Sequence, residues 1–318
     1  MTSELKTWLK KPWVGPFLAL LVVYCLFAAL TPETFLRSLN LVTMLRQTVV
    51  VSIAAVGMSL IIVHGGIDLS VGSTVALTTV VAAKCLQAGA SPTSTVLTAI
   101  ALGALAGALN GALVVGLRIA PFIATLGTMS ALRGIAKGLA DEQKIDAPSR
   151  GLENWMAMVP GERLVPYGVW LALAVGIACA VLLGYTRLGR HAVAVGSNEL
   201  TARLCGVPVT RVRLAIYTIG GLLAGIAGVL EFSTLTVGDP TDSVGLELET
   251  IAAVVIGGGS LSGGQGSVAG TLLGALLLTV IKAGCTHVGM PNWIQEILTG
   301  AIIVIAMTLD RVRQASRD

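Results

Sequence analysis

The sequence predicts an all-α, polytopic membrane protein of about ten transmembrane helices, with broken or half helices at glycine-rich motifs. Of its 318 residues, 54% are hydrophobic and only 12% are charged, a balance well outside that of a soluble domain. Long apolar runs recur along the chain, and none alternates apolar and polar residues as the strands of a membrane barrel do. Because lipid offers no partner to backbone N–H and C=O groups, we expect these runs to cross the bilayer as helices.

The longest apolar runs have the length of a membrane-crossing helix. They are residues 14–30, 42–63, 94–117, 165–186, 214–230 and 293–309. The first run follows Lys6, Lys10 and Lys11 but ends without a clear small-residue cleavage site. We therefore expect it to be retained as the first transmembrane helix and not cleaved as a signal peptide.

Shorter apolar pieces fall below the roughly 20 residues that a full crossing needs. They are residues 69–83, 119–132, 248–256 and 268–281. We expect broken or tilted helices there. With both termini in the cytoplasm the number of crossings must be even, and about ten spans satisfy that condition.

Positive charge sets the orientation, because short loops rich in Lys and Arg stay in the cytoplasm. The chain reads as one transmembrane domain, 1–318, whose cytoplasmic parts are the N-terminus 1–13, the loop 187–213 and the tail 311–318. Segments 141–162 and 238–249 are acid-rich and carry few basic residues or none. These two loops should face outward.

Two glycine-rich stretches, "GGIDLSVG" (65–72) and "GGGSLSGG" (257–264), share the pattern G-G-x-x-L-S-x-G. Glycine pairs let a helix unwind, and the freed backbone groups must then lie against protein or water, so such breaks line cavities. The residues of these breaks predicted to line a translocation pathway are Gly65, Gly66, Asp68, Ser70, Gly72, Gly258, Ser260, Ser262 and Gly264. Whether the repeat reflects a structural duplication is open.

Asp68, with Ser70, is placed to cap the half-helix that follows the first break. A structural role for Asp68 is favoured over direct substrate binding. His64 lies four residues earlier, but the intervening glycines make a continuous helix doubtful, so a metal site or proton relay is disfavoured. Arg46, Lys282 and Arg133 are explained by snorkelling to the membrane interface.

Small residues fit close packing of helices. Gly103, Gly107 and Gly111 repeat every fourth residue, as do Gly221 and Gly225, and are predicted to form helix contact faces. The five cysteines form no C-x-x-C pair and are expected to be small buried hydrophobes, neither metal ligands nor disulfide partners.

The longest polar element is residues 186–213, and within it residues 198–204 predict a short capped helix ended by Gly206 and Pro208. Small and apolar residues on an otherwise charged loop favour docking to a soluble partner over simple solvation.

Taken together, the motifs of the chain resemble the ribose-type sugar permeases of bacterial ATP-binding-cassette importers over nearly its whole length. The motifs are "GGIDLSVG" (65–72), "APFIATLGTMSALRG" (120–134), "GSNELTARLCGV" (196–207), "GGLLAGIAGVLE" (220–231) and "LETIAAVVIGGGSLSGGQGSVAGTLLGA" (248–275). The departures are small: Thr is common in the family at the position of Gly259, and Gly-Gly-Asn at 196–198.

The resemblance implies a permease subunit in the bacterial inner membrane that forms the pathway for a ribose-like pentose, a hexose or a deoxysugar. It also implies partners: a cytoplasmic ABC ATPase, a periplasmic sugar-binding protein and a second permease copy, identical or paralogous, in membrane lipid. The family's coupling helix corresponds to ATPase contacts at Asn198, Glu199, Ala202, Leu204 and Gly206. The acidic loops around Asp141 and Asp239 would face the binding protein.

Other classes of function are less well supported. The chain has no G-x-x-x-x-G-K-[ST] phosphate loop, so its energy must come from a separate ATPase or from an ion gradient, as in a secondary transporter of a small polar solute. Asp68 and Glu231 make a weak ion-coupling site, which favours the ATPase. His64, His191 and His287 lie in unrelated segments, so we expect no enzyme, cofactor or metal site. Nucleic-acid binding is unsupported, because topology already explains the net charge of +4.

Overall fold

The structure is a computed structural model that describes residues 13–159 and 164–315. The predicted N-terminal segment 1–13 and the end of the predicted tail, 316–318, fall almost wholly outside the described residues. The α-helices are α1 (Val14–Leu30), α2 (Pro32–Phe35), α3 (Ser38–Val63), α4 (Val71–Gln87), α5 (Pro92–Leu117), α6 (Pro121–Leu139), α7 (Tyr167–Tyr185), α8 (Arg187–Ser197), α9 (Glu199–Leu204), α10 (Val209–Leu235), α11 (Leu246–Ile256), α12 (Val268–His287) and α13 (Asn292–Ala315). A 3₁₀ turn (Leu152–Trp155) and two short strands, β1 (Ile145–Asp146) and β2 (Val237–Gly238), complete the described part.

The predicted helical class is confirmed. Five helices, α3, α5, α7, α10 and α12, are long and apolar enough to cross a membrane. Shorter apolar helices are α1, α4 and residues 292–305 of α13. The predicted long runs lie in helices, except that the run 165–186 extends beyond both ends of α7, and the first run coincides with α1.

Two of the four pieces predicted to be short extend further than predicted, to 20 residues in α12 and 19 in α6, because charged side chains that should have ended them are paired inside the chain. In α12 the helix continues past Lys282, whose ammonium forms an ion pair with the carboxylate of Glu249. In α6 it continues past Arg133, whose guanidinium donates hydrogen bonds to the carbonyl oxygens of Pro240 (3.0 Å) and Asp242 (2.6 Å). The charged groups of Lys282 and Arg133 thus have partners within the chain, and their snorkelling to the interface stays a prediction. α4 and α11 are short, with 17 and 11 residues.

The centre of the molecule is formed by α3, α4 and α10, and residues 70–80 at the start of α4 are all buried. A stripe of glycines lets α5 lie directly on α10. A Cβ added at Gly103 would lie 2.4 Å from the oxygen of Gly221, and one added at Gly107 would lie 2.1 Å from the oxygen of Tyr217. The predicted glycine contact faces are confirmed, and the two helices pack backbone to backbone.

Large apolar side chains on the outer helices are exposed, among them Leu105 on α5, Trp170 on α7 and Ile297 on α13. Such a surface suits lipid or a partner and not water. All five cysteines are free thiols. The expectation that all of them are buried is wrong for Cys25 and Cys205, which are exposed.

Candidate functional site: two helix breaks and the segment beside them

The first break begins where α3 ends. Gly65 adopts the left-handed backbone conformation (φ +90), and the N–H groups of Gly65 and Gly66 bond back to the carbonyls of Ile62 and Ile61. This pattern is the Schellman ending of a helix, in which glycine is favoured because it lacks a Cβ. At Gly66 a Cβ would lie 2.4 Å from the hydroxyl oxygen of Tyr217, so a second glycine is also required there.

The break is held by a buried network around Asp68. Its Oδ1 accepts hydrogen bonds from the backbone N–H (2.8 Å) and hydroxyl (2.6 Å) of Ser70, and from the side-chain amide of Asn110 on α5 (3.3 Å). The Oδ1 of Asn110 in turn accepts from the hydroxyl of Thr128 on α6 (2.6 Å). Thr125 accepts the N–H of Leu69 through its hydroxyl oxygen (3.1 Å). Side chains of α5 and α6 thus replace the helix hydrogen bonds that the break has lost.

The geometry favours the structural role of Asp68, which is only 4% exposed and has its described partners within the chain. The predicted cap by Ser70 is wrong in detail: the Ser70 side chain makes no capping hydrogen bond and instead bonds Asp68 and accepts from Asn110. Within the described residues, His64 is buried and neither ring nitrogen has a hydrogen-bond partner, so it forms no relay with Asp68. Gly72 lies in the first turn of α4 and not in the break.

The second break repeats this local structure, but its helix end is displaced by one residue relative to the shared motif. After α11, Gly258 adopts φ +87, and the N–H groups of Gly258 and Gly259 bond to the carbonyls of Val255 and Val254. The N–H of Ser262 donates to Ser260 Oγ at 3.3 Å, as the N–H of Ser70 donates to Asp68. The next helix starts later, however, since α12 begins at Val268, so a structural duplication stays a prediction.

The two breaks meet at a third segment, and we call this place the glycine junction: residues 63–65, 196–197 and 263–264. The N–H of Gly264 donates to the carbonyl oxygen of Val63 at 2.8 Å. A Cβ at Gly196 would lie 1.9 Å from that oxygen, and one at Gly263 would lie 2.6 Å from the oxygen of Gly196. Sequence spacing carries no signal for this meeting, because the three segments are far apart in the chain.

The glycine junction leads directly into the predicted short helix, which is confirmed as α9. Asn198 caps it, because its Oδ1 accepts the N–H of Thr201 at 2.8 Å, and Gly206 ends it at φ +81. Glu199 pairs with Arg203 (2.9 Å) and with Arg213 at the start of α10 (2.7 Å). α9 is therefore capped at its start and tied there to α10 by the Glu199–Arg213 pair.

The exposed face of α9 differs from the predicted one. Leu204 is 81% exposed, as predicted for a contact residue, but Ala202 is only 4% exposed and packs with Val195 and Val209. Leu200, which sequence reasoning missed, is 69% exposed. The sequence does contain a signal for Leu200, because it is an apolar side chain within a charged segment. Ala202 therefore seats α9 on its own chain instead of presenting it to a partner.

Ionisation of Glu199 is stabilised by these pairs. Hydrogen bonding from Arg213 is the largest influence and holds the pKa of Glu199 below its usual value, against the opposing effect of burial. The carboxylate is thus charged at neutral pH.

The two predicted outer loops lie side by side at another part of the molecule. β1 and β2 pair antiparallel, and Lys144 forms an ion pair with Asp239 at 3.1 Å. Burial raises the pKa of Asp239, but hydrogen bonds from Thr241 and Lys144 outweigh it and hold the value below its usual range. The loop predicted over 238–249 is shorter than expected, because α11 begins at Leu246.

Comparison with known proteins gives matches over almost the whole chain. Residues 40–307 match the family described as "Branched-chain amino acid transport system / permease component". The chain is 39% identical to the ribose import permease protein of Escherichia coli K12 over 313 residues, which is 97% of this chain and 96% of that protein. It is 36% identical to an autoinducer 2 import system permease protein of an Enterobacter species (98% and 90% covered) and 33% identical to the D-allose transport system permease protein of E. coli K12 (94% and 91% covered). No solved structure gives a significant match.

Proposed function

The chain belongs to the family of branched-chain amino acid transport system permease components, and from this premise we propose that its cargo is a monosaccharide or a sugar-like molecule. It is a permease subunit of an ATP-binding-cassette importer, a multi-pass protein of the inner membrane and not an enzyme. The family implies an ATPase and a binding protein as partners. Three questions follow: what is carried, how the chain crosses the membrane, and where the energy enters.

The cargo proposal is supported by relatives that match end to end. The names of those relatives state ribose, autoinducer 2 and D-allose, all small and rich in oxygen. The family description names branched-chain amino acids instead. The chain is more than 30% identical to the sugar permeases over nearly its whole length, and this favours a sugar as the cargo. Leucine, a branched-chain amino acid, is the alternative cargo to include in a test.

We propose ten crossings, by α1, α3, α4, α5, α6, α7, α10, α11, α12 and α13. At a rise of 1.5 Å per residue, α4 and α11 are about 26 Å and 17 Å long, shorter than the hydrocarbon thickness of about 30 Å. α4 follows the first break and α11 precedes the second break, so these two are the half-helices. The arginine-rich segment 187–213 and the β1–β2 pair then lie at opposite surfaces, as the positive-inside rule requires.

On this proposal, ATP hydrolysis by the ATPase subunit is coupled to the permease through α9. The observation that carries the proposal is the pair of exposed leucines, Leu200 and Leu204, on a short fixed helix in the arginine-rich segment, directly beside the glycine junction. An ATPase that docks on this face would displace α9. The displacement would reach both breaks through the backbone contacts of Gly196. On the opposite surface, the loops around Asp141 and Asp239 would receive the binding protein, and a second permease copy would complete the pathway.

The test is co-purification of the tagged chain from its native membrane in mild detergent, combined with uptake of ribose, allose and leucine. Leu204→Asp should lose the ATPase and the uptake while the protein stays in the membrane. Val244→Asp is the matched control, because Val244 is equally apolar and 74% exposed but lies near the other surface. It should keep the ATPase. Retention of the ATPase by Leu204→Asp would refute the docking site, and uptake that collapses with an uncoupler while ATP stays high would refute ATP coupling.

A further inference from the structure

At the ends of α3, α11 and α12 farthest from the glycine junction, a pocket of about 420 Å³ opens between the three helices. Eight of its eleven lining residues carry polar side chains although the helices are apolar, and the other three are Val51, Leu278 and Ala283. The polar lining residues are Asn40, Thr43, Gln47, Glu249, Thr279, Lys282, Thr286 and His287. A pocket of this volume lies within the range of small-molecule sites, about 300–1,000 Å³.

Two pairs of polar groups in the pocket hold one another in place, Glu249 with Lys282 and Asn40 with His287. Glu249 on α11 and Lys282 on α12 form a close ion pair across it. His287 bridges two side chains, with Nδ1 3.1 Å from Thr34 Oγ1 and Nε2 3.0 Å from Asn40 Oδ1. Gln47 makes no side-chain hydrogen bond to any residue in the described part of the chain and is exposed. The site therefore offers both donors and acceptors, one amide of which is unused.

We propose that this pocket binds the hydroxyl groups of a neutral polyhydroxylated cargo during its passage. The ion pair has no net charge, so the pocket does not attract an ion, and a charged solute would have to displace Lys282 or Glu249 from its partner. Hydroxyl groups instead can donate to the carboxylate and accept from the ammonium and amide groups without breaking the pair. The inference rests on the proposed sugar transport and adds the place where the sugar is contacted.

The position of the pocket in the fold supports a role in transport. α3 carries Gln47 in one half and ends at Val63. α11 carries Glu249 near its start and ends at the second break. α12 begins beyond that break and carries Lys282 near its far end. The three helices that surround the pocket are thus joined to the glycine junction at their opposite ends, α3 directly through Val63 and α11 and α12 through the segment 257–267 between them, so a shift at the junction changes the width of the pocket.

Gln47→Leu is the sharpest variant, because it removes an amide without breaking a described hydrogen bond. We expect the initial rate of sugar uptake to fall about tenfold, the worth of one hydrogen bond to the cargo, with the membrane level and ATPase retention unchanged. Asn292→Leu is the matched control, since Asn292 is also exposed and its side-chain amide makes no hydrogen bond to any residue in the described part of the chain, but it lies outside the pocket. It should import normally.

A second pair of variants tests buried hydroxyls. Thr279 and Thr48 are 7% and 6% exposed, and each bonds the carbonyl four residues before it. Only Thr279 lines the pocket. Thr279→Val should slow uptake more than Thr48→Val does, although both lose the same internal bond.

Direct binding is tested by thiol protection. In Gln47→Cys, excess D-ribose or D-allose should slow labelling by an uncharged maleimide, and ribose 5-phosphate should not. If neither sugar slows the labelling, or if Gln47→Leu imports at the wild-type rate, the proposed sugar binding in the pocket is refuted. The proposed sugar transport would still stand. A wild-type complex that retains its ATPase but imports no monosaccharide overturns the proposed function, and this inference with it.

Discussion

Substitution of Gly196 by alanine tests whether the glycine junction transmits movement from α9. The added Cβ would lie 1.9 Å from the oxygen of Val63 and 2.6 Å from the nitrogen of Gly264. These two atoms are the partners of the hydrogen bond that joins the breaks. Both belong to the backbone, so no flexible side chain can move out of the way.

The magnitude follows from these distances. Restoring an ordinary contact means opening the junction from 1.9 Å to 3.4 Å, about 1.5 Å of backbone movement. Forcing extra volume into a packed site costs about 1–3 kcal/mol, and an unsatisfied N–H or C=O group costs about as much again. We therefore expect a loss of about 2–6 kcal/mol in the free energy of unfolding.

Thermal unfolding of the purified complex and the ratio of sugar transported to ATP hydrolysed are the assays. Gly196→Ala should unfold at least about 4 °C below wild type and hydrolyse ATP with less transport. Gly134→Ala is the matched control, because Gly134 is also helical but has nothing within 4 Å of an added Cβ. It should be neutral or stabilising by up to about 1 kcal/mol. If the two variants unfold and transport alike, the junction is not a rigid link.

Three more outcomes are expected. Asp68→Ala should lower the free energy of unfolding by about 1–3 kcal/mol, because donors are left unpaired, and Asp68→Asn, which keeps the acceptor Oδ1, should lose less in the same thermal assay. The pKa of Glu199 is lowered, so its pair with Arg213 stabilises α9 at neutral pH and is lost only as pH falls below the usual value of 4.5; ATPase retention should therefore not change between about pH 6 and 8. An impermeant maleimide should label native Cys205 only from the cytoplasmic side and Lys144→Cys only from outside, and labelling of both from one side would overturn the topology.

The helices could be predicted where one local property decides them. α1 is correct to the residue because an apolar run stops at Thr31 and Pro32. α12 could not be bounded in this way, since Lys282 is neutralised by a glutamate that lies 33 residues away in sequence. Pairing across that distance has no local signature. The apolar runs in the sequence therefore predict that the helices exist, whereas tertiary contacts decide where the helices end.

The site was predictable in its motifs and not in its contacts. Asp68 was singled out correctly as the residue that holds a break, but its partner Asn110 was missed. A signal existed, because Asn110 is a lone amide in the apolar run 94–117. The faces of α9 were confused because a six-residue helix is too short for its apolar period to show which side is buried, so Ala202 was assigned to the surface and Leu200 was overlooked.

On the proposed coupling, the form of the glycine junction accounts for how a small helix would drive a large change. α9 has six residues, and any force on it reaches α8 at Ser197 and Gly196. From there the contacts to Val63 and Gly264 join backbone to backbone, and close-packed backbone atoms pass on a displacement instead of absorbing it. Longer side chains at these positions would change rotamer under load and dissipate the movement. The backbone contacts of Gly196 with Val63 and Gly264 therefore form a stiff link, and the proposed coupling of α9 to α3, α11 and α12 depends on that link.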